Sequence, residues 1–360
     1  MPWSITARWI YFGRSNICRK MRPLPLIVPA MTVPVVAAVR RAYPEMRITV
    51  VTRPFFRPFF ADVEGVEFAD VDLKGRHKGV AGIARLADEL AVQGVDAVAD
   101  LHGVLRSHLL RFFLALKGCK TARIRKGRAE KRKLTKVGYT KSVQLKTSIE
   151  RYTEVMCRLG LIPDDVTRWT PSSRDVPQAL GLDTPKQGVW VGVSPFAMHR
   201  GKAYPIELME RAVELIAPQV ERVFVFGGGA EEKRQAQQME RLASNVQSVV
   251  GVMSLVEEIN LMANLDVMVA MDSSAMHMSS LVATKVVSIW GATHPYAGFY
   301  GFGQSADGAL QAEMACRPCS VFGNKPCKWG DYRCMTAIRP EDVARKTVET
   351  ALQNQKSVKK

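Results

Sequence analysis

Asp272, Ser273, Ser274 and His277 put a carboxylate, two hydroxyls and an imidazole within six residues. They follow the apolar run 266–271, which has the length of a buried strand and is too short for a helix of its own. The polar cluster is a helix-start signal. A helix N-terminus presents unpaired N–H groups and a positive dipole end, which suit a phosphate. Ser273 and Ser274 add hydroxyl donors, and His277, one turn into the helix, is placed to face the same ligand. The plainer reading makes Asp272 a cap and His277 a satisfied histidine near the surface.

Two more residues share that setting. Lys202 hangs between a strand over 188–193 and a helix opening near Pro205, a proline at the first helical position. A cation there can neutralise a diphosphate, although a lone loop lysine is usually just solvated. Glu232 opens a helix after Gly227, Gly228 and Gly229, where the backbone admits a ligand closely and a carboxylate can accept ribose hydroxyls. Three glycines in a row lack the spacing of a dinucleotide fingerprint, so the turn by itself is weak evidence.

The elements that must hold these groups are strands feeding helices. Residues 266–271, the helix carrying His277, and a second apolar run over 286–290 closed by Gly291 form a strand–helix–strand unit. In such a unit a parallel sheet delivers its chemistry at the carboxyl ends of the strands. Further strands are predicted over 223–226 and 249–254, each followed by a helix. The first half reads as a helix over 31–44, strands over 48–52 and 66–71, and a helix over 80–93. A strand over 97–101 then runs into a long helix, with Asp100, His102, Arg106 and Ser107 at the mouth of this half. A helix over 148–160 ends it, and the polar, proline-bearing stretch 163–185 is the predicted domain boundary.

Residues 117–146 hold twelve Lys or Arg and one acid, Glu130. The plain expectation is a solvated loop. Tyr139 is the sole ring in this block, which argues against a stacking platform for single-stranded nucleic acid. A mobile clamp for a phosphorylated or carboxylated acceptor fits better, with Arg125, Lys126 and Arg128 joining Arg106 as its cations. Cys316, Cys319, Cys327 and Cys334 form C-x2-C-x7-C-x6-C, a spacing that can ligate a structural zinc or leave reduced thiols.

A chain of 360 residues, 47% hydrophobic, suits two ordinary domains with a core each. Its formal charge of +17 points to acidic partners: nucleic acid, an anionic membrane or a phosphorylated substrate. Residues 1–30 are irregular, with no apolar core long enough for a secretory leader, so the seven cysteines are expected in a reducing cytoplasm. No stretch has the length of a membrane span, and contact at the inner membrane surface is the expectation beyond a cytoplasmic location.

The run DSSAMH, followed by VVSIWGATHP, resembles the donor-site signature of glycosyltransferase family 9, the heptosyltransferase-like enzymes. GKAYP and DLHGVLRS are similar to further family stretches, and the resemblance spans residues 31–338. It implies an α/β fold of GT-B type, two Rossmann-like domains facing across a cleft. The irregular segment 1–30 precedes an acceptor-side domain over 31–170. A nucleotide-sugar domain covers 186–338, and a terminal helix and tail, 339–360, pack back across the cleft. The implied reaction moves a sugar from a nucleotide diphosphate, ADP-heptose above all, onto an anionic lipid-linked oligosaccharide of lipopolysaccharide core. Catalysis needs no cofactor. Lys202, Glu232, Met253, Asp272, Ser273, Ser274 and His277 would bind donor, with Met253 holding the base. The family usually has glycine or alanine where this chain has Ser274.

In such enzymes an aspartate in an early Gly-Asp loop is the favoured base. Here residues 24–34 read LPLIVPAMTVP, with at best a strand over 24–28. Asp100 and His102 are therefore the candidate substitutes, and slow transfer is the expectation for the sequence as written, through either a shifted N-terminus or a silenced enzyme. The rival readings are a silent binder of sugar nucleotide or lipopolysaccharide, a nucleic-acid-binding protein, and a GT-B-like epimerase that needs no acceptor.

Overall fold

The structure, a computed structural model, describes residues 29–136, 144–182 and 185–358. The early-loop segment 24–28, Tyr139 and Lys141 lie outside the described residues. The first half consists of α1 (Pro29–Ala42), β1 (Ile48–Thr52), β2 (Val66–Asp70), α2 (Gly79–Val92), β3 (Ala97–Asp100), α3 (Leu105–Leu116), β4 (Lys120–Arg123), α4 (Arg128–Leu134) and α5 (Ser148–Arg158). β1 pairs with β2 and β3 with β4, both in parallel.

The second half comprises β5 (Trp190–Ser194), α6 (Ile206–Ile216), β6 (Arg222–Val225), α7 (Ala230–Met239), β7 (Val246–Ser248), α8 (Leu255–Asn264), β8 (Val267–Met271), α9 (Ser274–Leu281), β9 (Lys285–Trp290), β10 (Ala309–Gln311), α10 (Arg333–Thr336) and α11 (Pro340–Val358). Its six strands make one parallel sheet in the order β10-β9-β8-β5-β6-β7. β5 and β8 are buried at every position, as a sheet covered on both faces requires.

Each half has an apolar cluster of its own, and a third cluster joins them. The joint forms because residues 30–39 of α1 are all buried. A helix apolar on every side must be enclosed, and α1 packs on α5 of its own half and α9 of the other. Two separate cores are thus not the whole arrangement.

Four expectations change in detail. The basic block is not one solvated loop among its described residues. β4 and α4 order it, because Ala122 and Leu134 are buried and Lys131 sets its ammonium 3.8 Å from the Phe299 ring centroid. Burial pushes the Lys131 pKa down to about 8. The strand expected over 249–254 is instead β7 at Val246–Ser248, since Gly251 takes φ +70° and turns the chain. Within the expected boundary stretch, Trp169 and Arg174 tie the chain to both halves: Arg174 bonds Asp62 at 2.6 Å and Asn260 at 3.1 Å, and Trp169 donates to the Leu281 carbonyl at 2.8 Å. α11 packs on α6, β8 and β9 of its own half, where its apolar side finds the second-half cluster.

Candidate functional site

β5 lies at the centre of the six-stranded sheet, with β6 and β7 on one side and β8, β9 and β10 on the other. The chain therefore changes direction between β5 and β8, and the crevice beyond their carboxyl ends is the binding place such sheets provide. Lys202 arrives there in the single 3-10 turn Arg200–Lys202 after β5, and Asp272 directly follows β8. Their side chains meet at 2.8 Å, Nζ to Oδ2, with 16% and 4% exposure. Nζ also donates to the Asp272 carbonyl at 3.2 Å.

Asp272 is thus not the cap of α9. Ser273 holds the N-cap position, and its hydroxyl makes no capping bond. The carboxylate turns to Lys202 instead, because a nearly buried anion needs a counter-charge more than a helix end does. Around this pair, Ser273 Oγ, His277 Nδ1 and Thr293 Oγ1 are buried without a hydrogen-bond partner, and Asp272 Oδ2 has its ion pair but no aligned hydrogen bond. Buried polar groups are nearly always satisfied, so three unpartnered atoms beside the ends of β8 and β9 mark a place built for something polar. His277 is buried rather than open to solvent. Burial pushes its pKa down to about 4, Asp272 opposing and Lys202 adding to the effect, so the ring is neutral at pH 7. Ser274 is exposed at the first turn of α9.

The loops behind Lys202 escape a reading based on sequence. Gly201 donates to and accepts from neighbouring loops: its N–H reaches the Gly323 carbonyl at 3.3 Å, and its carbonyl takes the Ala292 N–H at 2.8 Å. A Cβ on Gly201 would stand 2.7 Å from the Gly323 oxygen, so only glycine fits. Arg317, buried, donates to the carbonyls of Gly291, Ala312 and Thr293 and so fixes the turn after β9. Its place inside the C-R-P-C run is the one signal the sequence carries of this role. The cysteine-bearing loop is therefore a buttress of the crevice. Cys316, Cys319, Cys327 and Cys334 are free thiols, and among the described residues no group of three or more His, Cys, Asp or Glu is arranged to hold a metal ion. Glu232 closes the glycine turn by accepting from Gly228 N at 2.7 Å. Met253 is half-buried against the shared core.

In the first half, β3 and β4 end side by side. Asp100 is buried and its oxygens are engaged: Oδ1 by the N–H groups of His102 and Gly103 at 3.0 and 2.8 Å, Oδ2 by Ser107 Oγ at 3.0 Å. It shapes the turn, and the expectation that it offers a free base does not fit this bonding. His102 keeps a buried Nε2 with no partner, and burial, helped by Lys126, pushes its pKa down to about 4. Arg106 and Lys126 act on the same imidazole, and Arg128 on Lys126. Arg125 stands apart from them, lining a cavity of about 730 Å³ with Lys146, Arg151 and Arg158.

Residues 83–328 match the family profile for glycosyltransferase family 9 (heptosyltransferase). No curated protein sequence matches the chain. A family 9 glycosyl transferase from Veillonella parvula superposes with a TM-score of 0.72 and 17% identity, over 93% of this chain and 98% of that one. ADP-heptose LPS heptosyltransferase II of E. coli gives 0.64 and 16%, over 94% and 99%. E. coli heptosyltransferase WaaC, solved with ADP, gives 0.59 and 15%, over 84% and 96%. Likeness at such identities is likeness of fold, and the fold is GT-B.

Proposed function

The chain belongs to glycosyltransferase family 9, the heptosyltransferases, and from that membership we propose that it moves a heptose from ADP-heptose to an anionic core oligosaccharide of lipopolysaccharide. The second half binds donor in the crevice beyond β5 and β8. The observation that carries this reading is the Lys202–Asp272 pair flanked by the unpartnered Ser273, His277 and Thr293 atoms. Lys202 and the N-terminus of α9 face the diphosphate, whose negative charge grows as the anomeric C–O bond breaks, so their attraction is greatest in the transition state. Asp272 orients Lys202, and Glu232 with Met253 flanks the nucleoside. No metal takes part in this reading.

The acceptor oxygen forms the new bond to the anomeric carbon and gives up its proton. His102, neutral at pH 7, is the group proposed to take it, with Arg106, Lys126 and Arg128 holding the acceptor's anionic groups. Calorimetric titration with ADP-, GDP- and UDP-sugars tests the donor half of the reading, with ADP-heptose expected to bind and silence across the panel overturning it. His102→Ala should lower the transfer rate by about 10²–10⁴ while leaving donor affinity unchanged. An unaltered rate would remove His102 from the reaction.

A further inference from the structure

α3 carries an apolar face that no other part of the described residues covers. Leu105, Phe112 and Leu116 are 76%, 55% and 70% exposed, and Leu109 is half-buried between them. At 100° per residue these four positions fall within about 60° of one another, opposite the buried Leu110 and Leu114. They form one stripe along the helix, with the Phe112 ring set edge-on to Phe113 at 5.7 Å. Scattered exposed leucines need no explanation, but an aligned stripe of them on one helix does.

The charges around the stripe say what would cover it. Residues 101–129 contain eight Lys or Arg and no Asp or Glu. Arg106 stands exposed beside the first turn of the stripe, and Lys117 and Lys120 stand exposed at its far end. Lys117 is paired with Asp88 of α2 at 2.7 Å. Among the described residues no helix is long and apolar enough to cross a membrane. Apolar side chains in line with a rim of cations are the pattern of a helix that lies in the interface of an anionic bilayer, its rings and aliphatic chains among the acyl boundary and its cations on the headgroups.

We propose that α3 docks the protein on an anionic lipid surface through Leu105, Leu109, Phe112 and Leu116. The stripe begins three residues after His102, so a docked chain holds the mouth of its first half at the headgroup level. That last consequence rests on the acceptor reading above; the docking does not. Sedimentation with vesicles, in the absence of any sugar substrate, tests it separately from transfer.

The wild-type chain should sediment with equimolar phosphatidylcholine–phosphatidylglycerol vesicles, stay in solution with phosphatidylcholine alone, and be released by about 0.5 M salt. The double variant Phe112→Ser/Leu116→Ser should lose about tenfold or more of its vesicle affinity while keeping the wild-type melting temperature, since both side chains are already in solvent. Three results would overturn the proposal: undiminished binding by the double variant, equal binding to neutral vesicles, or no vesicle binding by a wild-type dimer that the same substitutions dissociate. The last would assign the face to a second copy of the chain. Phe112→Trp adds a readout, with a blue-shifted emission expected on anionic vesicles and an unshifted one counting against insertion.

Discussion

Lys202 and Asp272 hold each other at the floor of the crevice, so each governs the other's cost. Asp272 is almost wholly buried, and Lys202→Ala would leave its carboxylate without a cation. Removing one member of a buried pair is far more damaging than removing both. Lys202→Ala is therefore expected to cost about 2–4 kcal/mol in chemical denaturation. Lys202→Ala/Asp272→Asn should recover most of that stability but none of the donor affinity. Recovery of neither would mean that the lysine stem, packed on Gly323, matters more than its charge. His277 offers a pH test. Its folded pKa, about 4, lies below the ordinary value of 6.5, so between those limits the unfolded chain binds the extra proton. Stability should be full above pH 6.5 and decline as pH falls towards 4. His277→Gln should flatten this decline in urea midpoints taken at pH 7 and 5; an unchanged slope would remove His277 as its source. Residue types were plain in the sequence here, whereas the burial that sets their energetics was not.

Two serines at helix starts look alike and behave differently. Ser254 makes a full capping box on α8: its hydroxyl takes the Glu257 N–H, and the Glu257 carboxylate takes the Ser254 N–H at 2.8 Å. Ser273 sits at the same position on α9 with no such bond. Ser254→Ala should then cost about 1 kcal/mol in a denaturant titration, and Ser273→Ala close to nothing. Calorimetry should reverse the order, with donor affinity falling for Ser273→Ala alone. Equal stability losses would make Ser273 an ordinary cap. The capping box at Ser254 lies within four residues and needs no distant partner. What Ser273 does depends on Lys202 drawing Asp272 away, which no local pattern records.

At the scale of the whole molecule, the joint between the halves is both apolar and ionic. α1 belongs to a core shared with the second half, and Arg174 reaches Asp62 on one side and Asn260 on the other. The Arg174–Asp62 pair is 11% exposed on each side chain, well removed from solvent screening. Arg174→Ala should lower stability by about 2–4 kcal/mol. The halves share a core, so the loss should appear in one unfolding transition followed by fluorescence and by circular dichroism alike. Two separated transitions in the wild-type chain would contradict the shared core.

By itself the sequence determined most of the alternation of strands and helices and the placing of polar groups at strand ends, though not β4, α4, β10 or α10. Apolar period, caps and glycine turns act over a few residues, and the parallel architecture follows from their alternation. Only the tertiary structure decided which of those groups meet. Lys202 and Asp272 are 70 positions apart and become partners because β5 and β8 are neighbours in the sheet. Asp100 looked like a base until its oxygens were taken by the turn it shapes, and α3 buries Leu110 and Leu114 while leaving Leu105, Phe112 and Leu116 exposed. Strand order and the choice of helix face arise from contacts between distant segments, which no pattern along the chain encodes.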